Sequence, residues 1–161
     1  FEGADEAIFL LVTIGSEVDI RVSQLIESGL NVEAVVMDYG GIAASFNTFT
    51  YALGFLKSLT ESQGKKMGVC LGPGNKYWDI SGQSTIFSVL HAEKIGVQLL
   101  ESSFMKPTKS QSGIIPVGVF LEMDNSENEE MCSSCPSLKC PIRNVYSDSS
   151  ISQSQLDLSN G

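Results

Sequence analysis

Two polar loops of the sequence carry the chemical groups that could hold a small molecule. The first contains Gly72, Pro73, Gly74 and Asn75; its glycines allow a ligand to approach the backbone amides, and its proline stiffens the turn. The second, residues 102–113, is rich in Ser and Lys and also contains Gln111; their hydroxyl, ammonium and amide groups can bind a ribose or a carboxylate. The alternatives are an ordinary tight turn and a solvent-exposed loop. The G-x-G-x-x-G spacing of dinucleotide-binding proteins is absent.

Three cysteines near the end of the sequence form a cluster that suits a metal. Cys132, Cys135 and Cys140 have the spacing C-x2-C-x4-C, and thiolates at such spacing can bind zinc or an iron–sulfur cluster. A structural site takes four ligands, and we expect Cys70, the only other cysteine, to supply the fourth. His91, the only histidine, is the other candidate. The alternative is reduced thiols or a local disulfide.

The hydrophobic pattern predicts the elements that position these loops. Strands are expected near residues 7–14, 66–71, 97–100 and 113–121, all in one sheet. A long helix from about Asn31 to Ser62 should pack on this sheet through one apolar stripe, formed by Ile42, Phe46, Phe49, Leu53 and Leu56. Strands interleaved with helices indicate an α+β domain with a mixed or antiparallel sheet. In such a domain we expect the two polar loops to face each other across one cleft.

Length, charge and hydropathy exclude several classes of partner. The 161 residues fit one domain, which we assign to residues 1–143, followed by a flexible tail at 144–161 that is rich in Ser, Asn, Gln and Asp. The net charge of −9 argues against a nucleic-acid partner, because phosphates require a basic surface. No apolar run has membrane-spanning length, so no membrane partner is predicted. These features favour a cytoplasmic protein.

The order of several short motifs resembles one known family. The motifs are M-D-Y-G-G-I-A-A at 37–44, G-P-G-N at 72–75, an early helical Gln83, I-G-V-Q-L at 95–99 and S-x-M-x-P-x-K-S-x-S-G at 103–113. In this order they resemble the activation domain of cobalamin-dependent methionine synthase, and in particular its short stand-alone relatives found beside corrinoid proteins. The resemblance extends over about residues 7–143 and implies the α+β fold of that domain.

The resemblance also implies a function. Domains of this family bind S-adenosylmethionine and assist the reductive re-methylation of a corrinoid, here a cobalamin held by a partner protein or domain. The residues it places at the ligand are Asp38, Gly72, Pro73, Gly74, Asn75, Ser103, Lys109, Ser110 and Ser112. Cys70 stands where the family has an arginine that holds the methionine carboxylate, and Asn75 stands where it has a tyrosine. S-adenosylmethionine should therefore bind weakly, and Cys70→Arg should tighten binding.

Two other functions fit the same sequence. The cysteine cluster would make the protein a zinc or iron–sulfur protein that acts as redox partner of a corrinoid protein. Alternatively, the chain is a degenerate structural homologue that has kept the fold and lost the ligand. No catalytic side chain is expected under any of these hypotheses, because the cofactors carry the chemistry and the sequence shows no nucleophile paired with a base.

Overall fold

A computed structural model describes residues 3–75 and 78–121 of the chain. The strands are β1 (Glu6–Thr13), β2 (Lys66–Met67), β3 (Gln98–Leu99), β4 (Met105–Lys106) and β5 (Ser110–Gly118). The α-helices are α1 (Glu17–Glu27), α2 (Asn31–Ser62) and α3 (Gln83–Val89), and short 3-10 helices cover Ile80–Gly82 and Ala92–Ile95. The cysteine cluster, the expected domain boundary after residue 143 and the tail all lie outside the described residues.

The main sheet of the described residues has the strand order β1-β5-β2, and both pairings are antiparallel. β5 is central: it pairs with β1 from Glu6↔Val117 to Thr13↔Ser110, and with β2 through Lys66↔Gly118 and Met67↔Val117. Ile115 and Val117 of β5 are fully buried. Helices combined with an antiparallel sheet confirm the α+β class at this level of description.

The expected four-stranded sheet is wrong in one respect. The strand predicted at 97–100 is absent from the main sheet and pairs instead with β4, through Gln98↔Lys106 and Leu99↔Met105. The physical reason is proximity along the chain, because a short loop between two strands closes with little loss of chain entropy. The strand predicted at 66–71 is also shorter than expected: beyond Met67 it pairs with β5 at one isolated bridge, Leu71↔Ile114.

α2 is a continuous helix of 32 residues that packs against all three strands of the main sheet. Its buried residues are small or polar: Ala34, Gly41, Ser45 and Thr60. The stripe expected to face the sheet lies partly on the flank of the helix, since Phe46, Phe49, Leu53 and Leu56 are only partly buried and Ile42 is exposed. Small side chains on the inward face let the helix approach the strands closely, which is why they displace the larger residues from that position.

The outward side of α2 is also apolar. Val32, Val36, Tyr39, Tyr51 and Phe55 are all exposed there. A helix with apolar residues around its whole circumference gives a weak periodic signal, so the sequence pattern alone could not identify the inward face. No helix of the described part of the chain is both long enough and apolar enough to cross a membrane.

Candidate functional site

A cleft of about 440 Å³ lies where the turn after β2, the start of α3 and the residues leading into β5 meet. Its apolar lining is Pro73, Ile80, Leu100, Phe104 and Met105, and its polar lining is Gln83, Ser103, Thr108, Ser110, Gln111 and Ser112. Concave sites of this size with a few polar groups are typical of small-molecule binding. None of the described residues that line the cleft carries an ionisable side chain.

The isolated bridge between Leu71 and Ile114 brings the two predicted loops together. Each residue donates a backbone hydrogen bond of 2.9 Å to the carbonyl oxygen of the other. The turn that follows therefore lies against β5, so closely that a Cβ on Gly72 would be 2.9 Å from the carbonyl oxygen of Ser112. Pro73 consequently borders the same cleft as the loop before β5, as the sequence predicted.

Gln83 is the most buried polar residue of the cleft lining, with 4% of its surface exposed. It is the first residue of α3, and its Oε1 accepts a hydrogen bond of 2.7 Å from the Ser112 hydroxyl. Its Nε2 makes no hydrogen bond within the described residues. The sequence interpretation noted Gln83 only as part of the family motif and did not place it among the ligand-binding residues. No local signal distinguishes it, because α3 also carries Ser84, Thr85 and Ser88.

The other polar lining residues are held by neighbouring elements. The Ser110 hydroxyl lies 2.9 Å from Thr13 Oγ1 and 2.8 Å from the Pro107 carbonyl oxygen. Gln111 donates from Nε2 to Ser45 Oγ of α2 at 3.0 Å. These contacts fix the walls of the cleft before any ligand arrives, which lowers the entropic cost of binding.

Lys109 and Asp38, both expected at the ligand, bind each other instead. The Lys109 ammonium donates a hydrogen bond of 2.6 Å to Asp38 Oδ1, and Asp19 Oδ1 of α1 lies 3.6 Å away. The Lys109 side chain is only 9% exposed, whereas that of Asp38 is 40% exposed. A buried ammonium is stable only beside negative charge, so these carboxylates are its natural partners. Neither Asp38 nor Lys109 lines the cleft.

Asp19 anchors the loop before β5 to α1. Its carboxylate accepts hydrogen bonds of 2.6 Å from both the backbone amide and the hydroxyl of Thr108. Burial opposes ionisation of Asp19, but the hydrogen bonds from Thr108 and the charge of Lys109 outweigh it and lower the pKa of the carboxyl. Because Thr108 lines the cleft, this contact positions one of its walls.

Gly41 makes room for this network. A Cβ at position 41 would lie 2.7 Å from Val18 Cγ1 and 3.2 Å from Lys109 Cε. The absence of a side chain allows α1, α2 and the Lys109 stem to meet at this point. The M-D-Y-G-G segment of the sequence therefore serves the packing of the ion pair, through Asp38 and Gly41, and not the cleft.

Cys70 lies on the other side of the sheet from the cleft. Leu71 pairs with Ile114, so their side chains share the face of β5 that carries Ser112, and the preceding Cys70 points to the opposite face. There its Sγ occupies the space beside Gly113 where a Cβ would otherwise stand. Burial raises the pKa of the Cys70 thiol to about 11. The expectation that an arginine at this position would reach the ligand is corrected accordingly.

The remaining predicted residues have structural contacts or lie outside the described region. Asn75 Oδ1 accepts a hydrogen bond of 2.9 Å from the Trp78 backbone amide, and the Gly74 amide donates to the Trp78 carbonyl oxygen at 2.8 Å. Thus Pro73, Ser103, Ser110 and Ser112 line the cleft, and Gly72, Gly74 and Asn75 shape the adjoining turn. The metal site expected from Cys132, Cys135, Cys140 and Cys70 stays a prediction, because its three clustered cysteines lie outside the described residues.

The arrangement can bind a molecule, but its described lining offers no nucleophile with an adjacent general base. Within residues 3–75 and 78–121, no group of three or more His, Cys, Asp and Glu residues is placed to hold a metal ion. The cleft is therefore suited to holding and orienting a ligand. Comparison of the chain with protein-family models and with curated protein sequences finds no match.

Proposed function

We propose that this protein is an activation-domain-like module that binds S-adenosylmethionine weakly in the cleft and assists the reductive re-methylation of a corrinoid held by a partner protein. The observation that carries the proposal is the shared cleft. Two sequence motifs about thirty residues apart contribute to one cavity: the Gly-Pro-Gly turn provides Pro73, and the Ser-rich segment at 102–113, which runs into β5, provides Ser103, Ser110 and Ser112. Both motifs resemble the corresponding ligand loops of the methionine synthase activation domain.

The cleft fits part of S-adenosylmethionine better than the whole. Its volume of about 440 Å³ is within the range of ligand sites, and Ile80, Leu100 and Phe104 offer apolar surface to a flat ring. For the methionine carboxylate, the described lining offers no cationic side chain. Lys109, which the sequence predicted at the ligand, already has Asp38 as its partner. These features support weak binding that depends on the uncharged part of the ligand.

In this proposal the protein contributes binding and orientation. When bound, S-adenosylmethionine supplies an activated methyl group for transfer to a reduced corrinoid. The Gly72-Pro73-Gly74 turn and the loop at 103–112 hold the ligand, and Thr108 is kept in place by Asp19. Holding two reactants in a fixed geometry is itself a large source of rate enhancement. No side chain of the described chain is required to break or form a bond.

Calorimetric titration with S-adenosylmethionine, with and without a cobalamin-binding partner, tests the proposal. Phe104 lines the cleft and is 64% exposed, so Phe104→Ala should weaken binding about tenfold, by loss of roughly 1.4 kcal/mol of contact, without unfolding the protein. Phe55→Ala is the matched control, because Phe55 is 62% exposed and lies on α2, away from the cleft. Absence of binding at millimolar ligand, with the partner present, would refute the proposal in favour of a structural homologue without ligand.

A further inference from the structure

We infer that Gln83 selects the ligand by donating a hydrogen bond from its side-chain amide to an acceptor atom of an uncharged heterocycle. The inference rests on the proposed function only in taking the cleft as the ligand site. Gln83 is not among the residues that the sequence predicted at the ligand. The part of the ligand that it would bind is the heterocycle.

The Gln83 side-chain amide is only half satisfied by hydrogen bonds within the described residues. Its Oε1 is occupied by the Ser112 hydroxyl at 2.7 Å, whereas its Nε2 has no hydrogen-bond partner among the described residues. Every fully buried side-chain nitrogen or oxygen of the described residues has a partner. Nε2 must therefore keep some access to solvent, although Gln83 as a whole is 4% exposed. Since Gln83 lines the cleft, that access leads through the cleft.

The Gln83 side chain presents its nitrogen, and not its oxygen, as the unpaired group. A glutamine amide can present either its oxygen or its nitrogen to a ligand. In the structure the Ser112 hydroxyl donates to the oxygen, so the nitrogen is the group presented. Such a donor distinguishes ligands that carry an acceptor from those that lack one, because a donor that the bound ligand covers and leaves unpaired costs about 1–3 kcal/mol.

The walls around Gln83 favour an uncharged ligand. Ile80, Leu100, Phe104 and Met105 are apolar, and no ionisable side chain stands among the described lining residues. The cleft thus presents one amide donor between apolar surfaces. An uncharged heteroaromatic ring with a ring-nitrogen acceptor, such as an aminopurine, matches this pattern.

The test is a calorimetric titration of the full chain with adenosine, nicotinamide, S-adenosylmethionine and methionine. We expect adenosine to bind nearly as tightly as S-adenosylmethionine and methionine not to bind. Gln83→Glu keeps an acceptor for Ser112 and removes the donor, and it should weaken adenosine binding at least about tenfold. Gln83→Met, apolar and of similar length, is the second variant in case the glutamate disturbs folding. Gln63→Leu is the matched control, since Gln63 is exposed at the end of α2.

The outcomes separate this inference from the proposed function. Unchanged adenosine affinity in both Gln83 variants overturns the inference, and S-adenosylmethionine binding in the same protein would leave the proposed function standing. Gln83-dependent binding of adenosine or nicotinamide without any binding of S-adenosylmethionine supports the inference and overturns the proposed function. Absence of binding by both heterocycles, or competition by methionine, overturns the inference.

Discussion

Replacing Asp38 by Asn is expected to destabilise the protein more than replacing Lys109 by Met, although both changes break the same ion pair. Asp38→Asn removes the carboxylate 2.6 Å from an ammonium whose side chain is 9% exposed. Among the described residues the ammonium then keeps Asp19, at 3.6 Å, as its one negatively charged neighbour. Lys109→Met removes the buried charge and keeps an apolar stem beside Gly41. The Asp38 carboxylate then loses this ammonium partner, but its side chain is 40% exposed and can be solvated by water.

The expected magnitudes follow from burial. Removing one partner of a fully buried pair costs about 3–5 kcal/mol, but Asp38 is partly exposed and Asp19 gives partial compensation, so we expect a loss of about 1–2 kcal/mol for Asp38→Asn. Lys109→Met should cost about 1 kcal/mol or less, because no buried charge is left behind. The double variant should be more stable than Asp38→Asn alone. In a chain of this size, a loss of 1 kcal/mol lowers the melting temperature by roughly 2–4 °C.

Urea unfolding followed by circular dichroism measures these differences. The control is Glu61→Gln, which breaks the exposed Lys57–Glu61 pair at 3.9 Å on α2 and should cost less than about 0.5 kcal/mol. A loss for Asp38→Asn no larger than that of the control would show that the network contributes little. A larger loss for Lys109→Met than for Asp38→Asn would contradict the argument from burial.

Three further outcomes are expected. Because the pKa of Asp19 is lowered in the folded protein, its carboxylate stabilises the fold at pH values above 3.8, the ordinary carboxyl pKa. This contribution should be lost as the pH falls through the pKa that Asp19 has in the folded state. Urea unfolding between pH 6 and 2 should therefore show a smaller loss of stability in Asp19→Asn than in the parent protein. Cys70→Arg should lower the melting temperature and leave S-adenosylmethionine affinity unchanged, since position 70 faces away from the cleft; tighter binding would contradict that placement. Protein purified without oxygen should contain zinc or iron at close to one site per chain by elemental analysis, and Cys135→Ser should abolish it; the parent protein without either metal would refute the predicted cysteine site.

Much of the fold could be predicted from local patterns. The apolar run at β1, the helix starting at Asn31 and the strand leading out of the Ser-rich loop each have a clear signal within a few residues. The pairing of β3 with β4 was not predicted, because the short segment V-Q-L-L at 97–100 does not indicate which strand lies beside it. The inward face of α2 was not predicted either, since the helix is apolar on every side and the buried positions are small residues.

The site was predicted in part because the two loops were recognised by composition and order, while the contacts of single residues depend on distant segments. Lys109 meets Asp38 across 71 positions of sequence, and no local pattern reports that distance. The lysine was therefore assigned to a ligand carboxylate, the partner that its charge suggests in isolation. Gln83 was not predicted at the ligand, because a single glutamine on a short helix has no distinctive spacing.

Side chains alternate between the two faces of the sheet along β5 and the preceding Lys109. One sequence motif therefore serves two structural roles, although its sequence suggests a single site. In K-S-Q-S-G, residues 109–113, successive side chains point to opposite faces of the sheet. Lys109 and Gln111 make their hydrogen bonds to α2, at Asp38 and Ser45, although Gln111 also borders the cleft. Ser110 and Ser112 point toward the cleft, where Ser112 orients Gln83. The motif thus attaches the strand to the long helix with one face and forms the cleft with the other. Substitutions at odd-numbered positions should act first on stability, and substitutions at even-numbered positions should act first on ligand affinity.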